Sequence, residues 1–274
     1  LAHKVKSLLD ERVRRVDIGS PLVGHAVALS LFGVAGAGAF VVAKRRIEAG
    51  DDIVEPAYPE PPASPEVTAG PNSNVAFDAI GKEGRRFVLM ALTAPEISAV
   101  MNEPARDPIR IVGGYEAAPS TEERAAVCLQ EMESIGAFDR SLICIASPTG
   151  VGYVSYTFVE SLEYLTRGDC ATVIPQYALV PSAMALFDTA DGVALQRRVL
   201  ELTRDRINEL PADRRPKLVQ FGESLGAQVA LDVAYPAGTD EFDELGLDAG
   251  LYLGVPFRSA SWNSWWNARA LFDP

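Results

Sequence analysis

Lys217-Leu218-Val219-Gln220-Phe221-Gly222-Glu223-Ser224-Leu225-Gly226-Ala227 decides how this chain is read. The run ending at Phe221 reads as a strand, and the small-residue run from Leu225 to Ala234 reads as a helix. Between them stands a Gly-x-Ser-x-Gly pentapeptide, Gly222 to Gly226. The string alone is a weak signal, and its strand–turn–helix setting is what strengthens it. A serine at such a bend is lifted above the sheet on strained backbone. Glycine at 222 and 226 leaves room where a side chain would strike the neighbouring strand or helix. The amide after the serine, that of Leu225, then lies where a developing oxyanion needs a donor. Ser224 is therefore predicted as the nucleophile of an acyl transfer, with Gly222 and Gly226 forming its elbow. The alternative is a structural serine in a glycine-rich turn.

Outward from this point the pattern alternates. Predicted strands are Arg86–Met90, Ile109–Val112, Leu142–Ala146, Thr172–Leu179, Lys217–Phe221 and Ala249–Gly254. Capping boxes at Thr93/Glu96 and Ser120/Glu123 open helices reaching Met101 and about Ile135. Further helices are predicted over Tyr156–Leu165, roughly Asp191–Leu210, and Leu225–Ala234. Such alternation predicts a mostly parallel α/β sheet with helices on both faces, occupying residues 77–274.

The loop Ser147-Pro148-Thr149-Gly150-Val151-Gly152-Tyr153 follows the strongly apolar Leu142–Ala146 run. In a hydrolase of this kind the second oxyanion donor comes from that loop, here the Thr149 or Gly150 amide. An ordinary strand-to-helix connection is the other reading. Gly150-Val151-Gly152 lacks the third glycine of a dinucleotide fingerprint, so no nucleotide cofactor is expected. Tyr153, Tyr156, Phe158 and Tyr164, and after the last strand Trp262, Trp265 and Trp266, read equally well as acyl-pocket lining, core or a membrane-facing rim.

Phe221–Ala227 resembles the α/β-hydrolase family of predicted membrane proteins found in mycobacteria and their relatives. Gly84-Arg85-Arg86-Phe87, Ser147–Tyr153 and Tyr164-Leu165-Thr166-Arg167-Gly168-Asp169-Cys170-Ala171-Thr172 are similar to it in the same order, over about residues 77–260. The resemblance implies a multi-span N-terminal region, a C-terminal serine hydrolase domain and Ser224 as its nucleophile. It implies no particular substrate.

Residues 22–43 contain no charged side chain and as a helix would rise about 33 Å, enough to span a hydrocarbon core. One transmembrane helix is predicted there, so the N-terminus departs from the multi-span pattern or is incomplete. A basic juxtamembrane segment, 1–21, precedes it. The first 46 residues carry net charge +5 and the remainder −17. The basic residues ahead of the span outnumber those behind it, which leans the hydrolase domain toward the extracytoplasmic side. Six prolines between Pro56 and Pro71 mark 44–76 as an extended Pro-rich linker. The acidity of the remainder excludes a phosphate-backbone partner. Three cysteines, Cys128, Cys144 and Cys170, fit buried thiols rather than disulfides, and no metal site is expected.

The two histidines, His3 and His25, both precede Ser224. A hydrolase of this fold carries its acid and then its histidine after the nucleophile. No suitable acid follows Ala249–Gly254, since Asp248 precedes that strand and Asp273 is nearly terminal. The domain is therefore expected to be partial at its C-terminus, and residues 1–274 alone to show little esterase activity. A pseudoenzyme that keeps the elbow is the competing account. The preferred function is a membrane-anchored serine hydrolase acting on ester or thioester acyl groups, lipids included. A membrane acyltransferase and a non-catalytic hydrolase-like binding domain are the alternatives.

Overall fold

The computed structural model describes residues 58–178, 189–236, 239–257 and 259–268, together with Val42. The chain divides into two compact units, Leu1–Gly50 and Asp51–Pro274. In the second, five strands form one sheet: β1 (Ile109–Gly113), β2 (Leu142–Ser147), β3 (Cys170–Pro175), β4 (Lys217–Glu223) and β5 (Ala249–Leu253). Their order is β1-β3-β2-β4-β5, and every described pair is parallel. Parallel neighbours need crossovers, and helices supply them.

Side-chain alternation divides the core into two layers. Ile109, Ile111, Ile143, Ile145, Ala171 and Val173 face one cluster, whose other side is α3 (Thr121–Ile135), α5 (Thr189–Glu209) and α6 (Leu225–Ala234). Val112, Cys144, Ala146, Ile174 and Phe221 face the other, covered by α1 (Gly81–Leu89) and α4 (Tyr156–Leu165). Among the described residues the remaining α-helices are α2 (Ala94–Met101), α7 (Asp240–Glu244) and α8 (Ala260–Ala268). Both predicted capping boxes form, at Thr93/Glu96 and Ser120/Glu123.

One predicted strand is wrong. Arg86–Met90 lies within and just past α1, because the buried residues Ile80, Gly84, Phe87 and Val88 recur at helical spacing. The predicted strand Thr172–Leu179 begins two residues earlier and ends at Pro175.

Part of the predicted linker is laid against the sheet. Val67 bridges Arg110 in parallel, the Thr68 amide donates to the Arg110 carbonyl, and the Thr68 hydroxyl accepts the Val112 amide. Further on, the fully buried Glu131 accepts the Ser73 hydroxyl and the Asn74 amide, both at 2.6 Å. The Val67 and Thr68 bonds occupy the open edge of β1, where unpaired backbone groups would otherwise face water.

Beneath that edge Arg110 and Glu163 form a bidentate ion pair at 2.6 and 2.9 Å, with side chains 0% and 1% exposed. Arg110 also donates to the Phe87 carbonyl at 2.8 Å, so one guanidinium joins β1, α4 and α1. Burial pushes the Glu163 carboxyl above its usual range, with the guanidinium opposing. The three cysteines are free and buried.

Among the described residues no helix is long and apolar enough to cross a membrane. The segment 1–21, the predicted span 22–43 apart from Val42, and linker residues 44–57 lie outside the described residues.

Candidate active site

Ser224 occupies the single residue between β4 and α6, exposed, with φ 55° and ψ −122°. Positive φ is unfavourable for a residue with a Cβ and persists only where the surroundings enforce it. Here the enforcement can be named. The Ser224 amide donates to the Leu253 carbonyl of β5 at 2.9 Å, and its carbonyl accepts the Ala227 amide at 3.0 Å. Strand pairing thus holds one side of the residue, and the first turn of the helix holds the other.

The flanking glycines are required by contact. A Cβ on Gly222 would lie 2.6 Å from the Gly226 carbonyl oxygen and 2.7 Å from the Ala227 Cα. One on Gly226 would lie 2.3 Å from the Ser147 carbonyl oxygen. The elbow therefore packs directly on the end of β2.

That junction is also where the sheet changes direction. After β2 the chain crosses to β3 on one side, and after β4 it crosses to β5 on the other. In open α/β sheets the crevice beyond the strand C-termini at such a reversal is where ligands bind. Ser224 follows β4 and the 147–153 loop begins at the end of β2, so both lie at the C-terminal ends of the two neighbouring strands at this reversal.

The three predicted oxyanion donors fare differently. Leu225 is the first residue of α6, and among the described residues its amide has no acceptor. The Thr149 amide is committed, donating to the Tyr153 carbonyl at 2.9 Å, while the Gly152 amide returns to the Thr149 carbonyl. Of the predicted pair only Gly150 keeps an uncommitted amide among the described residues. Leu225 and Gly150 are therefore the two of the three whose N–H groups have no acceptor among the described residues.

The aromatic residues after the loop serve mainly as packing. Phe158 stacks on Phe221 with ring centroids 3.6 Å apart, supporting β4 just below the elbow. Tyr156 donates to Glu83 at 3.2 Å. Trp262 and Trp266 stack on each other at 6.0 Å, and Trp266 is 54% exposed. The Trp265 side chain lies outside what is described.

Asp248 is not placed to assist Ser224. Its carboxylate accepts the Leu218 amide at 2.8 Å at the start of β5, the end of the sheet opposite the elbow.

Residues 109–274 match the family model described as alpha/beta-hydrolase family. The chain belongs to that family. Residues 1–91 match the model of the alpha/beta-hydrolase family N-terminus, so both parts of this α/β-hydrolase carry a family signature. No curated protein matches the chain. No solved structure matches it. The 109–274 match includes β1 to β5, the 147–153 loop and Ser224.

Proposed function

We propose that this α/β-hydrolase cleaves ester or thioester acyl groups through an acyl-enzyme on Ser224. The observation that carries the reading is the exposed Ser224 at φ 55°, ψ −122° at the sheet's reversal point. In this reading the Ser224 Oγ attacks the acyl carbonyl and passes its proton to a general base. The Leu225 and Gly150 amides receive the charge on the former carbonyl oxygen. Collapse expels the alcohol or thiol, which takes up the proton, and water then releases the acid in a second addition.

Residues 26–274 contain no histidine. The base that accepts the Ser224 proton is therefore an imidazole carried outside that range, or a group of another kind. Anchoring to a membrane through residues 22–43, with the domain on the extracytoplasmic side, belongs to the same proposal and rests on the uncharged run and its basic flanks. It favours lipid esters as substrates.

The natural protein, assayed in the membranes of its own cells, should hydrolyse short-chain esters or thioesters, and Ser224→Ala should abolish the turnover. Added alcohol that is converted to ester would redirect the reading to acyltransfer. Turnover unaffected by Ser224→Ala would contradict it.

A further inference from the structure

Gln176, the first residue past β3, is fully buried. Its backbone N–H donates to the Gly113 carbonyl at 2.9 Å, and its Oε1 accepts the Tyr115 amide at 3.4 Å. Its Nε2 has no acceptor among the described residues. That nitrogen is wedged between two glycines. A Cβ on Gly152 would lie 2.4 Å from it, and one on Gly84 would lie 3.2 Å from it.

The Gly152 contact matters because the 149–153 turn is bonded mainly to itself. Thr149 N–H donates to the Tyr153 carbonyl and Gly152 N–H to the Thr149 carbonyl, each at 2.9 Å. Neither bond reaches the sheet. The near end of the loop is set by Ser147 and Pro148, whose carbonyl oxygens lie against Gly226 of the elbow. At the far end Gly152, at φ 80°, rests on the Gln176 amide.

We propose that Gln176 is a positioning residue: its amide, seated under Gly152, sets the attitude of the 149–153 turn and so aims the Gly150 N–H across the crevice toward Ser224. The proposal rests on the acyl-transfer reading for its catalytic meaning, but its structural content is separately measurable. Gln176 touches no reacting atom. It acts through the turn, by packing rather than by a hydrogen bond, so side-chain volume matters more than polarity.

Two measurements on the full chain test this. In the first, hydrogen exchange is followed by mass spectrometry in the peptide spanning 147–155. Gln176→Ala should speed exchange there at least tenfold relative to the β2 and β4 peptides. Gln176→Met, which refills the space, should return it to within about threefold of the parent. Unchanged exchange in Gln176→Ala would overturn the proposal. If Gln176→Ala unfolds globally, Gln176→Met decides: parent-like protection supports the wedge, and a loosened 147–155 peptide in a folded variant overturns it.

In the second, the rate of Ser224 phosphonylation by a fluorophosphonate should fall about tenfold in Gln176→Ala at saturating probe, with the half-saturating concentration little changed. A parent chain that takes no label would count against the acyl-transfer reading alone, and the exchange experiment would still decide Gln176. The double variant Gly152→Ala/Gln176→Ala should lose less than the two single losses combined, because removing the amide makes room for the new methyl. Full additivity would contradict the contact as the cause.

Discussion

A Cβ placed on Gly226 would stand 2.3 Å from the carbonyl oxygen of Ser147. The helix carrying the elbow is therefore seated against the strand that feeds the facing loop. Strand β2, strand β4 and the Ser224 bend form one packed unit, and their mutual fit sets the crevice.

Gly226→Ala should accordingly destabilise the domain by about 1–3 kcal/mol, the usual penalty for forcing a methyl into a filled space. Gly222→Ala should do the same, since its methyl would meet the Gly226 carbonyl and Ala227. Urea unfolding followed by tryptophan fluorescence measures the loss. An unchanged midpoint in either variant would show that the elbow is looser than its contacts indicate.

Ser224→Gly should behave in the opposite way. Releasing strained backbone returns about 1–3 kcal/mol, and the added freedom of the unfolded glycine takes back roughly 0.5–1. A net gain of about 1 kcal/mol is expected from Ser224→Gly but not from Ser224→Ala, which keeps the Cβ and hence the strain. Paired thermal unfolding curves separate the two. A glycine variant no more stable than the alanine variant would contradict the strain.

Glu163→Gln should be among the most damaging single changes away from the crevice. It leaves the Arg110 guanidinium buried without a counter-charge, a situation that costs about 3–5 kcal/mol. The paired change Arg110→Met with Glu163→Leu should recover most of that loss, because two packed apolar side chains need no charge compensation. Denaturant midpoints of the single and paired variants check both halves.

The thiols predict an alkaline limit. Burial pushes Cys128 and Cys170 from 9.0 up to about 12, and pushes Cys144 up as well. Above pH 9 the unfolded chain releases these protons while the folded chain retains them, so the unfolded state is favoured as pH rises. Stability should be level with respect to these groups below pH 9 and should fall between pH 9 and about 12. Replacing Cys128 with Ala or Cys170 with Ser should flatten that fall, as read from unfolding midpoints across the range. In the native state at pH 8, a thiol reagent should modify the three cysteines only at the rate of unfolding.

Much of this architecture is legible in the chain. The helices Tyr156–Leu165 and Leu225–Ala234 fall where the sequence pattern puts them, the second because nearly all its residues are apolar and buried, the first although its buried face includes Glu163. Arg86–Met90 misleads, since Phe87-Val88-Leu89-Met90 is a short apolar run that suits either state, and the helical spacing shows only when Ile80 and Gly84 are included. Prolines suggest a free spacer up to residue 76. That Val67 and Thr68 instead close the β1 edge depends on which strand ends up outermost, a tertiary outcome. At the crevice, Ser224, Gly222, Gly226 and Leu225 follow from the pentapeptide. The commitment of the Thr149 amide to Tyr153 depends on how the loop closes on itself, and Gln176 meets Gly152 only through the fold; neither has a local signal.

The central claim is that the Ser224 hydroxyl is held ready for acyl chemistry. The most direct measurement treats the natural protein, in its own cells, with a fluorophosphonate probe and maps the adduct by peptide mass spectrometry. A single phosphonylated serine is expected at 224, lost when the protein is heat-unfolded first and absent in Ser224→Ala. Folded protein that remains unlabelled at Ser224, or that carries its adduct on another residue, would contradict it.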